Sequence, residues 1–300
     1  MTDRQKGALL ITVSAGAFAF LPTITRTLYA TAQAAEIALR PTDVAFWRFF
    51  IASLVLGTVV IARLGRAARQ PSLPLPRLAL LGALYAFSAM SAFFGLQYIN
   101  ASLYVVLFYT YPAMLALIYL ALGIPLSKWQ WLALGLVLIG LVLTIPDFSF
   151  FDEGGNLIGV VVALLNALSV AFYYLLSSRW MRAVADGMHH TAWTLVLTLM
   201  FITLLLPFNG LTIPTDATLA ALLLVLAVGC TVVPILAINL GLRYINAAQA
   251  SIISSTEPVI AMLIAVVVLS EVILPLQWVG AAFIVSAVLV LELSPRKRAV

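Results

Sequence analysis

The residue most clearly able to take part in binding or proton transfer is Glu257, a carboxylate inside an apolar run over residues 247–269. A charged side chain in the middle of a membrane span costs about 2.5–3.5 kcal/mol on insertion scales, so it must be paired, hydrated or protonated. Three hydroxyl residues precede it and Pro258 follows it. We predict that Glu257 binds a substrate ammonium group or carries a proton. The alternative is an internal ion pair or hydrogen-bond network that locks two helices together.

Helical spacing places Glu257 on a shared face, because positions i, i+4, i+7 and i+11 lie on one side of an α-helix. The residues of this face are Ala250, Ser254, Glu257 and Ala261. Their equivalents in a similar stretch 146 residues earlier are Tyr104, Phe108, Tyr111 and Leu115. If the two faces meet, they enclose a cavity with one polar and one aromatic wall, which suits a cationic or amphiphilic solute. Plain packing between helices is the alternative.

Further polar side chains recur at helical spacing in other apolar runs. One stripe consists of Asn166, Ser169, Tyr173 and Ser177, and a second run contributes Tyr85 and Ser88. Thr231 is the equivalent of Tyr85 at the 146-residue offset. A polar stripe on a membrane helix faces either a cavity or a neighbouring helix that it hydrogen-bonds. The sequence leaves both interpretations open.

Two arginines, Arg26 and Arg48, lie within apolar runs. Long basic side chains near the end of a span can reach outward to the interface. We therefore expect a structural role for Arg48, as an anchor of its helix to carbonyl groups or lipid headgroups. The sharper hypothesis is that either arginine holds a substrate carboxylate.

Four prolines fall in the middle of apolar runs, at Pro22, Pro112, Pro234 and Pro258. Proline removes one backbone hydrogen bond and bends a helix. These positions are candidate hinges for a conformational change, or static bends.

The composition places most of the chain in lipid. Of its 300 residues, 64% are hydrophobic and 9% are charged, and its mean hydropathy is +1.13, whereas soluble domains are about 45–50% apolar and about 25% charged. A spanning helix needs about 20 apolar residues. Ten runs qualify, over residues 6–30, 42–63, 77–97, 103–123, 129–146, 156–180, 189–208, 217–240, 247–269 and 275–293. The alternating pattern of a membrane barrel is absent, so we predict an all-α integral membrane protein with ten transmembrane helices.

The basic residues orient these spans. Cytoplasmic loops carry an excess of Lys and Arg, and a cytoplasmic N-terminus puts 13 of the 16 basic residues on that side. We predict a multi-pass protein of the bacterial inner membrane with both termini in the cytoplasm. The net charge of +5 does not indicate nucleic-acid binding, because the basic residues lie between apolar runs. The expected partners are membrane lipid, a small-molecule substrate and, as an option, protons.

An internal repeat divides the chain. Residues 95–112 and 241–258 share 8 of 18 positions, including a Tyr-Ile-Asn sequence and the final proline. Five spans separate the copies, so the two halves must run in opposite directions across the membrane. We predict a first half over residues 1–146, an external linker over 147–155 and a second half over 156–300. Inverted repeats are typical of transporters that hold substrate near the bilayer midplane.

At this point the chain resembles the drug/metabolite transporter superfamily, in its EamA-domain branch. The resemblance rests on residues 44–56 with their arginine, on the two Tyr-Ile-Asn stretches, and on residues 269–292. It implies export of small metabolites, amino acids or drugs, similar in plan to the bacterial amino acid exporters of that family. We therefore expect a secondary transporter that exports amino acids by alternating access. The alternatives are an uncoupled facilitator or channel, and an exporter of drugs, amphiphilic cations or lipids on the same fold.

Enzyme chemistry has little support in the sequence. Asp186, His189 and His190 are the one cluster of possible metal ligands, and an interfacial loop explains them better. No GxSxG or Walker A motif appears, nor a GxGxxG in its strand context. We predict no catalytic residue, no metal and no cofactor.

Overall fold

In a computed structural model, residues 1–99, 101–144, 156–204, 206, 210–269 and 272–294 are described, and no β-strand occurs within these ranges. Nine segments of this described part are long and apolar enough to cross a membrane. They cover Asp3–Ala34, Pro41–Arg69, Leu75–Gly95, Leu103–Ala121, Leu157–Ala183, Gly187–Leu204, Ala217–Gly241, Ala247–Val268 and Pro275–Leu293. A tenth apolar helix, Lys128–Leu143, is shorter. The predicted linker over 147–155 lies outside the described residues.

Fourteen α-helices make up these segments in the described ranges. They are α1 (Asp3–Ala19), α2 (Leu21–Ala34), α3 (Pro41–Leu64), α4 (Leu75–Gly95), α5 (Ala101–Phe108), α6 (Tyr111–Ala121), α7 (Lys128–Leu143), α8 (Leu157–Trp180), α9 (Gly187–Leu204), α10 (Ala217–Ala227), α11 (Val233–Gly241), α12 (Ala247–Ser254), α13 (Glu257–Leu269) and α14 (Pro275–Leu293). Short 3₁₀ turns follow α3 and α8, at Gly65–Arg69 and Met181–Ala183, and a π-helical turn, Val228–Val232, joins α10 to α11.

Several helices begin at side chains that satisfy their free backbone N–H groups. The Ser127 hydroxyl accepts from the Gln130 N–H at 3.2 Å before α7. The Asn246 side chain accepts from the Gln249 N–H at 2.8 Å before α12. Large apolar side chains such as Leu117 and Val267 point outward along the spans, as expected where lipid replaces water around the protein.

Four apolar runs are interrupted where prolines fall. Pro22, Pro112 and Pro234 occupy the first turn of α2, α6 and α11, and Pro258 is the second residue of α13. Proline is tolerated there because the first N–H groups of a helix have no intrahelical acceptor. The sequence suggested bends at these positions. The structure shows helix breaks of one or two residues at three of them and the π-helical turn at the fourth.

The packing of the two halves is reciprocal. Helix α4 packs against α8 and α9, and the equivalent segment α10–α11 packs against α1 and α3. Helices α7 and α14 pack against each other most closely. A Cβ atom at Gly140 would lie 2.7 Å from the Gly280 carbonyl oxygen, and one at Gly280 would lie 2.6 Å from the Gly140 carbonyl oxygen. Glycine at both positions therefore lets the two backbones touch.

The same reciprocity appears where α1 and α8 begin. A Cβ atom at Gly7 would lie 2.7 Å from Cγ2 of Ile245, and one at Gly159 would lie 2.8 Å from Cγ2 of Ile99. Ile99 and Ile245 belong to the two Tyr-Ile-Asn stretches. Each half thus inserts the start of one helix against the repeated stretch of the other.

Each half also holds a loop of the other through a tryptophan. The Trp47 indole N–H donates to the Thr212 carbonyl at 2.8 Å, in the loop after α9. The Trp193 indole N–H donates to the Ala68 carbonyl at 3.2 Å, in the turn after α3. Trp47 and Trp193 are equivalent at the 146-residue offset, so these two contacts, the tryptophan latches, are a matched pair.

Candidate functional site

Glu257 is the first residue of α13, directly after the break at Ser255 and Thr256. The start of a helix carries a partial positive charge that stabilises a carboxylate. Glu257 is surrounded by other helices, and its residue surface is half-buried. The Tyr109 hydroxyl is within hydrogen-bonding reach of its carboxylate. Tyr109 lies in the break between α5 and α6, so the two interrupted helices meet at this pair.

Arg48 projects from α3 toward the π-helical turn. Its Nε donates to the Thr231 hydroxyl at 2.5 Å, and its Nη2 donates to the Cys230 carbonyl at 3.0 Å. The Thr231 hydroxyl in turn donates to the Leu226 carbonyl at 3.0 Å. A π-turn rearranges the backbone ladder and leaves carbonyls open to side chains, and such turns occur frequently at functional sites. The turn therefore fixes one side of the guanidinium.

Arg48 and Glu257 carry opposite charges among the same set of helices. They are close enough for their charges to interact. Both residues belong to the described part of the chain, and no direct salt bridge joins them there. Tyr85 is near both charges, and its ring makes edge contacts with Phe49 at 5.9 Å and Tyr173 at 5.2 Å between centroids. The arrangement offers one positive and one negative group to a molecule that fits between them.

A wall of aromatic rings adjoins Glu257. The Phe108 ring contacts Tyr109 at 5.1 Å and Tyr111 at 5.7 Å, and Tyr111 contacts Tyr174 at 5.7 Å. The hydroxyl groups of Tyr174 and Ser254 are 2.8 Å apart. The predicted residues Phe108, Tyr111 and Ser254 therefore lie near Glu257.

Tyr104 and Asn166 form a separate pair. The Asn166 amide donates to the Tyr104 hydroxyl at 2.7 Å, and both side chains are buried. Tyr104 packs in a small apolar cluster with Ile99 and Ala163. Among the described residues, the carbonyl oxygen of the Asn166 side chain has no hydrogen-bond partner. No contact places this pair at Glu257.

Most of the predicted polar stripe on α8 hydrogen-bonds neighbouring helices. The Ser169 hydroxyl donates to the Leu84 carbonyl at 2.9 Å. The Tyr173 and Ser177 hydroxyls donate to the Asn239 side-chain oxygen at 3.0 and 2.9 Å. The Asn239 amide donates to Thr191 at 3.0 Å. This network joins α8, α9 and α11, as expected for interhelical hydrogen bonding, while the Tyr173 ring still contacts Tyr85.

The remaining predicted residues lie outside this charge pair. Ser88 is half-buried on α4, and its carbonyl accepts from the Ser91 hydroxyl at 3.2 Å. Arg26 is exposed on α2. Among the candidate hinges, Pro112 and Pro258 flank the site at the starts of α6 and α13, Pro234 follows the π-turn, and Pro22 is exposed in α2.

The cluster of Asp186, His189 and His190 has a structural setting. The Asp186 carboxylate accepts from the N–H groups of Met188 and His189, at 2.9 and 3.2 Å, where α9 begins. The His189 ring is 3.1 Å from the Ala68 carbonyl. Within the described ranges, no group of three His, Cys, Asp or Glu residues is placed to hold a metal ion.

Sequence reasoning missed Tyr109, Tyr174 and Asn239. Tyr109 was passed over because face spacing assumes a continuous helix, and the chain turns at that residue. Tyr174 was passed over because its neighbour Tyr173 fitted the polar stripe. Tyr109 is equivalent to Ser255 at the 146-residue offset, so the repeat itself contained a usable signal. Asn239 is the single asparagine of its apolar run and was a plain candidate for interhelical bonding.

The spans, the charge pair and the broken helices describe a multi-pass membrane protein with two similar halves. The sequence profile of the EamA-like transporter family matches the chain twice, over residues 5–145 and 157–293. The chain belongs to the EamA-like transporter family, in agreement with the drug/metabolite transporter superfamily. The members of this family are transporters and not enzymes.

Two further similarities agree with this assignment. An "Uncharacterized transporter sll1319" of Synechocystis sp. is 26% identical over 209 residues, which cover 67% of this chain and 61% of that protein. This chain therefore spans about three-fifths of that relative's length. A solved crystal structure matches with a TM-score of 0.80 at 17% identity, over 96% of this chain and 97% of the other. At that identity the match shows the fold alone.

Proposed function

We propose that this protein is a secondary transporter of small zwitterionic solutes, with amino acids as the first class to test. The observation that carries the proposal is the pair of opposite charges, Arg48 and Glu257, which are near enough to interact while no salt bridge joins them in the described part of the chain. An amino acid placed between them offers its carboxylate to the guanidinium and its ammonium to the acid. Each group would then gain the partner that burial demands.

The proposed architecture has ten spans in two inverted halves, residues 1–146 and 156–300, joined by an external linker over 147–155. Helix α7 is the tenth span. Its 16 residues extend about 24 Å, and the apolar run in the sequence continues to residue 146. The reciprocal packing and the two profile matches support equivalent halves, and their odd number of spans requires opposite directions.

The proposed mechanism is alternating access, with solute held where the two broken helices meet. Interrupted helices near the midplane are a recognised way for transporters to present backbone and side-chain polar groups to a solute. The breaks before Pro112 and Pro258, and the π-turn before Pro234, are the proposed points of bending. Glu257 is the proposed site of proton exchange, with Tyr109 as its hydrogen-bond partner.

The proposed orientation and direction are supported by charge and by family resemblance. The positive-inside rule supports cytoplasmic termini in the inner membrane of a bacterium, and the resemblance to exporters supports outward transport. Efflux of labelled solute from preloaded cells, with and without expression of the protein, tests direction. Equal retention by both cell populations would remove the exporter hypothesis.

A second candidate is an exporter of amphiphilic cations. The aromatic wall of Phe108, Tyr109 and Tyr111 beside an acid favours it, because such rings attract cations. In that case Arg48 would serve only to anchor α3 to the π-turn. An uncoupled facilitator on the same fold differs from both because its flux is not stimulated by solute on the opposite side of the membrane.

The test is counterflow in liposomes for wild type, Arg48→Gln and Glu257→Gln, with a panel of labelled amino acids and organic cations. A zwitterion carrier requires both charges, so both variants lose amino acid counterflow while remaining folded. A cation carrier needs Glu257 alone, and Arg48→Gln then keeps cation counterflow. Flux without stimulation by internal solute indicates a facilitator. Amino acid counterflow that survives in both variants would contradict the proposed site.

An imposed pH gradient tests proton coupling. If Glu257 carries the proton, Glu257→Gln loses the response to the gradient. The aspartate variant keeps a carboxylate and is the matched control. An unchanged pH response in Glu257→Gln would assign coupling elsewhere.

A further inference from the structure

A cavity of about 360 Å³ lies apart from the charge pair, at one end of the bundle. Its lining residues are Tyr119, Ile124, Pro125, Leu126, Gln130, Ser178, Arg179, Arg182 and Asn246. They come from α6, the loop into α7, the start of α7, the end of α8, and the residue before α12. The cavity is therefore built by both halves of the chain.

The lining of this cavity is positively charged. Arg179 is in the last turn of α8, and Arg182 is in the 3₁₀ turn that follows. Both side chains are exposed. None of the lining residues is acidic, and within the described ranges neither arginine forms a salt bridge. Two guanidinium groups without an acid partner face the same space.

Helix ends add to this positive potential. Helix α7 begins after Ser127 and α12 begins after Asn246, and the start of a helix carries a partial positive charge. The Tyr119 hydroxyl lies near the backbone N–H groups of Ala247 and Ala248, at the start of α12. The Gln130 amide donates to the Asn246 side-chain oxygen at 3.4 Å, which ties the two helix starts together. The cavity is thus held by polar contacts that leave both arginines available.

We propose that this cavity binds the phosphate group of an organic phosphate, with Arg179 and Arg182 as its principal ligands. Guanidinium groups bind phosphate oxygens in a planar, two-point geometry. The volume exceeds that of one phosphate ion, and the apolar residues Ile124, Pro125 and Leu126 supply a surface for an attached organic group. The same chemistry fits an anionic lipid headgroup and a soluble phosphate ester. The proposal is independent of the transported solute.

The test is the thermal stability of the purified protein in a neutral detergent. The additives are inorganic phosphate, glycerol 3-phosphate, a short-chain phosphatidylglycerol and, as the uncharged control, phosphatidylcholine of the same chain length. The variant pair is Arg179→Gln with Arg182→Gln. The matched control is Arg66→Gln with Arg69→Gln, which removes the same charge from exposed residues outside the cavity.

The expected result is a rise in Tm with a phosphate compound for wild type and for the control pair. The rise falls by at least half in the cavity pair, and replacing both arginines by lysine restores part of it. Stabilisation by the lipid alone identifies a headgroup site, and stabilisation by glycerol 3-phosphate identifies a soluble ester. Equal shifts in the cavity and control pairs overturn the proposal, as does a wild type that responds to no phosphate compound.

Discussion

The two helix breaks that meet at Glu257 have the same backbone plan and different side chains. In the first half, α5 ends at Phe108 and α6 begins at Tyr111; in the second, α12 ends at Ser254 and α13 begins at Glu257. The breaks are equivalent at the 146-residue offset, and a proline follows each by the same distance. The first break presents tyrosines. The second presents hydroxyl groups and an acid.

The packing contacts are therefore repeated in both halves, whereas the charged residues of the site are not. Packing is reciprocal at the Gly140–Gly280 contact, at Gly7 and Gly159, and at the two tryptophan latches. The charges are not reciprocal, because Tyr111 is the equivalent of Glu257 and Thr194 is the equivalent of Arg48. Equivalent substitutions should therefore give equal effects in the scaffold and unequal effects at the site.

The largest expected inequality is between Glu257→Gln and Tyr111→Phe. Glu257→Gln removes the proposed charge-assisted contact between the carboxylate and the solute ammonium group. Its loss should cost about 2–3 kcal/mol, or roughly 30- to 150-fold in counterflow rate. The Tyr111 hydroxyl donates to the Ser251 carbonyl at 3.3 Å, a long contact whose loss should change the rate less than threefold, or about 0.6 kcal/mol. Initial rates in liposomes measure both. Similar losses of rate in the two variants would show that both helix breaks contribute equally to solute binding and transport.

The scaffold should respond symmetrically to Gly7→Val and Gly159→Val. Each new side chain meets a branched isoleucine at less than 3 Å from Cβ, so each should lower stability by roughly 1–3 kcal/mol. Gly16→Val is the control, because a Cβ there has no neighbour within 4 Å. Thermal unfolding in detergent compares the three. A clear difference between the Gly7 and Gly159 variants would break the proposed equivalence of the halves.

The sequence was a good guide to the spans and a partial guide to the site. Apolar runs predicted the membrane helices because lipid selects for continuous apolar segments. Prolines indicated where helices are interrupted, but not that a two-residue turn would follow Phe108 and Ser254. Beyond such a turn, face spacing no longer holds. Tyr104 therefore fell on the predicted face and packs elsewhere with Asn166, while Tyr109 fell off it and reaches Glu257.

Arg48 shows a second limit of the sequence. Its apolar surroundings suggested an anchor to carbonyl groups or lipid headgroups without indicating which ones; its partners are a hydroxyl and a carbonyl of the π-turn, more than 180 residues away. A π-turn has no distinct composition, so the sequence did not indicate that the Cys230 carbonyl would accept from Arg48. The repeat was no help either, since Tyr85, the equivalent of Thr231, sits in a regular helix.

A smaller effect is expected from Tyr109→Phe, which keeps the ring and removes the hydroxyl at Glu257. The loss of one hydrogen bond should cost about 1 kcal/mol, or roughly fivefold in rate. Phe108→Leu is the control for ring packing alone. The pH dependence of counterflow separates the two, because only Tyr109→Phe removes a direct contact with the carboxylate. If Tyr109→Phe left both rate and pH profile unchanged, the hydrogen bond would have no functional part.

The smallest expected effect comes from substitutions in the tryptophan latches. It is a small loss of stability together with a shift in the balance of inward and outward access. Trp47→Phe and Trp193→Phe each remove an indole N–H bond to a carbonyl of the other half, and the Trp193 N–H also donates to the His189 ring at 3.1 Å within its own helix. A hydrogen bond between membrane segments is worth about 0.6 kcal/mol on average. Both variants should lose the same stability. If the latches close opposite ends of the bundle, each loss should shift the balance of inward and outward access by about threefold, in opposite directions.

Thr256→Cys in a Cys230→Ser background reports that balance, since Thr256 is half-buried at the break and Cys230 is the only native cysteine. An impermeant thiol reagent added to one side should label the two tryptophan variants at rates that differ from the parent in opposite senses. Shifts in the same sense would mean that the latches only hold loops in place. Opposite shifts of equal size would show that the two halves move symmetrically. They would do so although Glu257 and Arg48 have no charged equivalents in the other half.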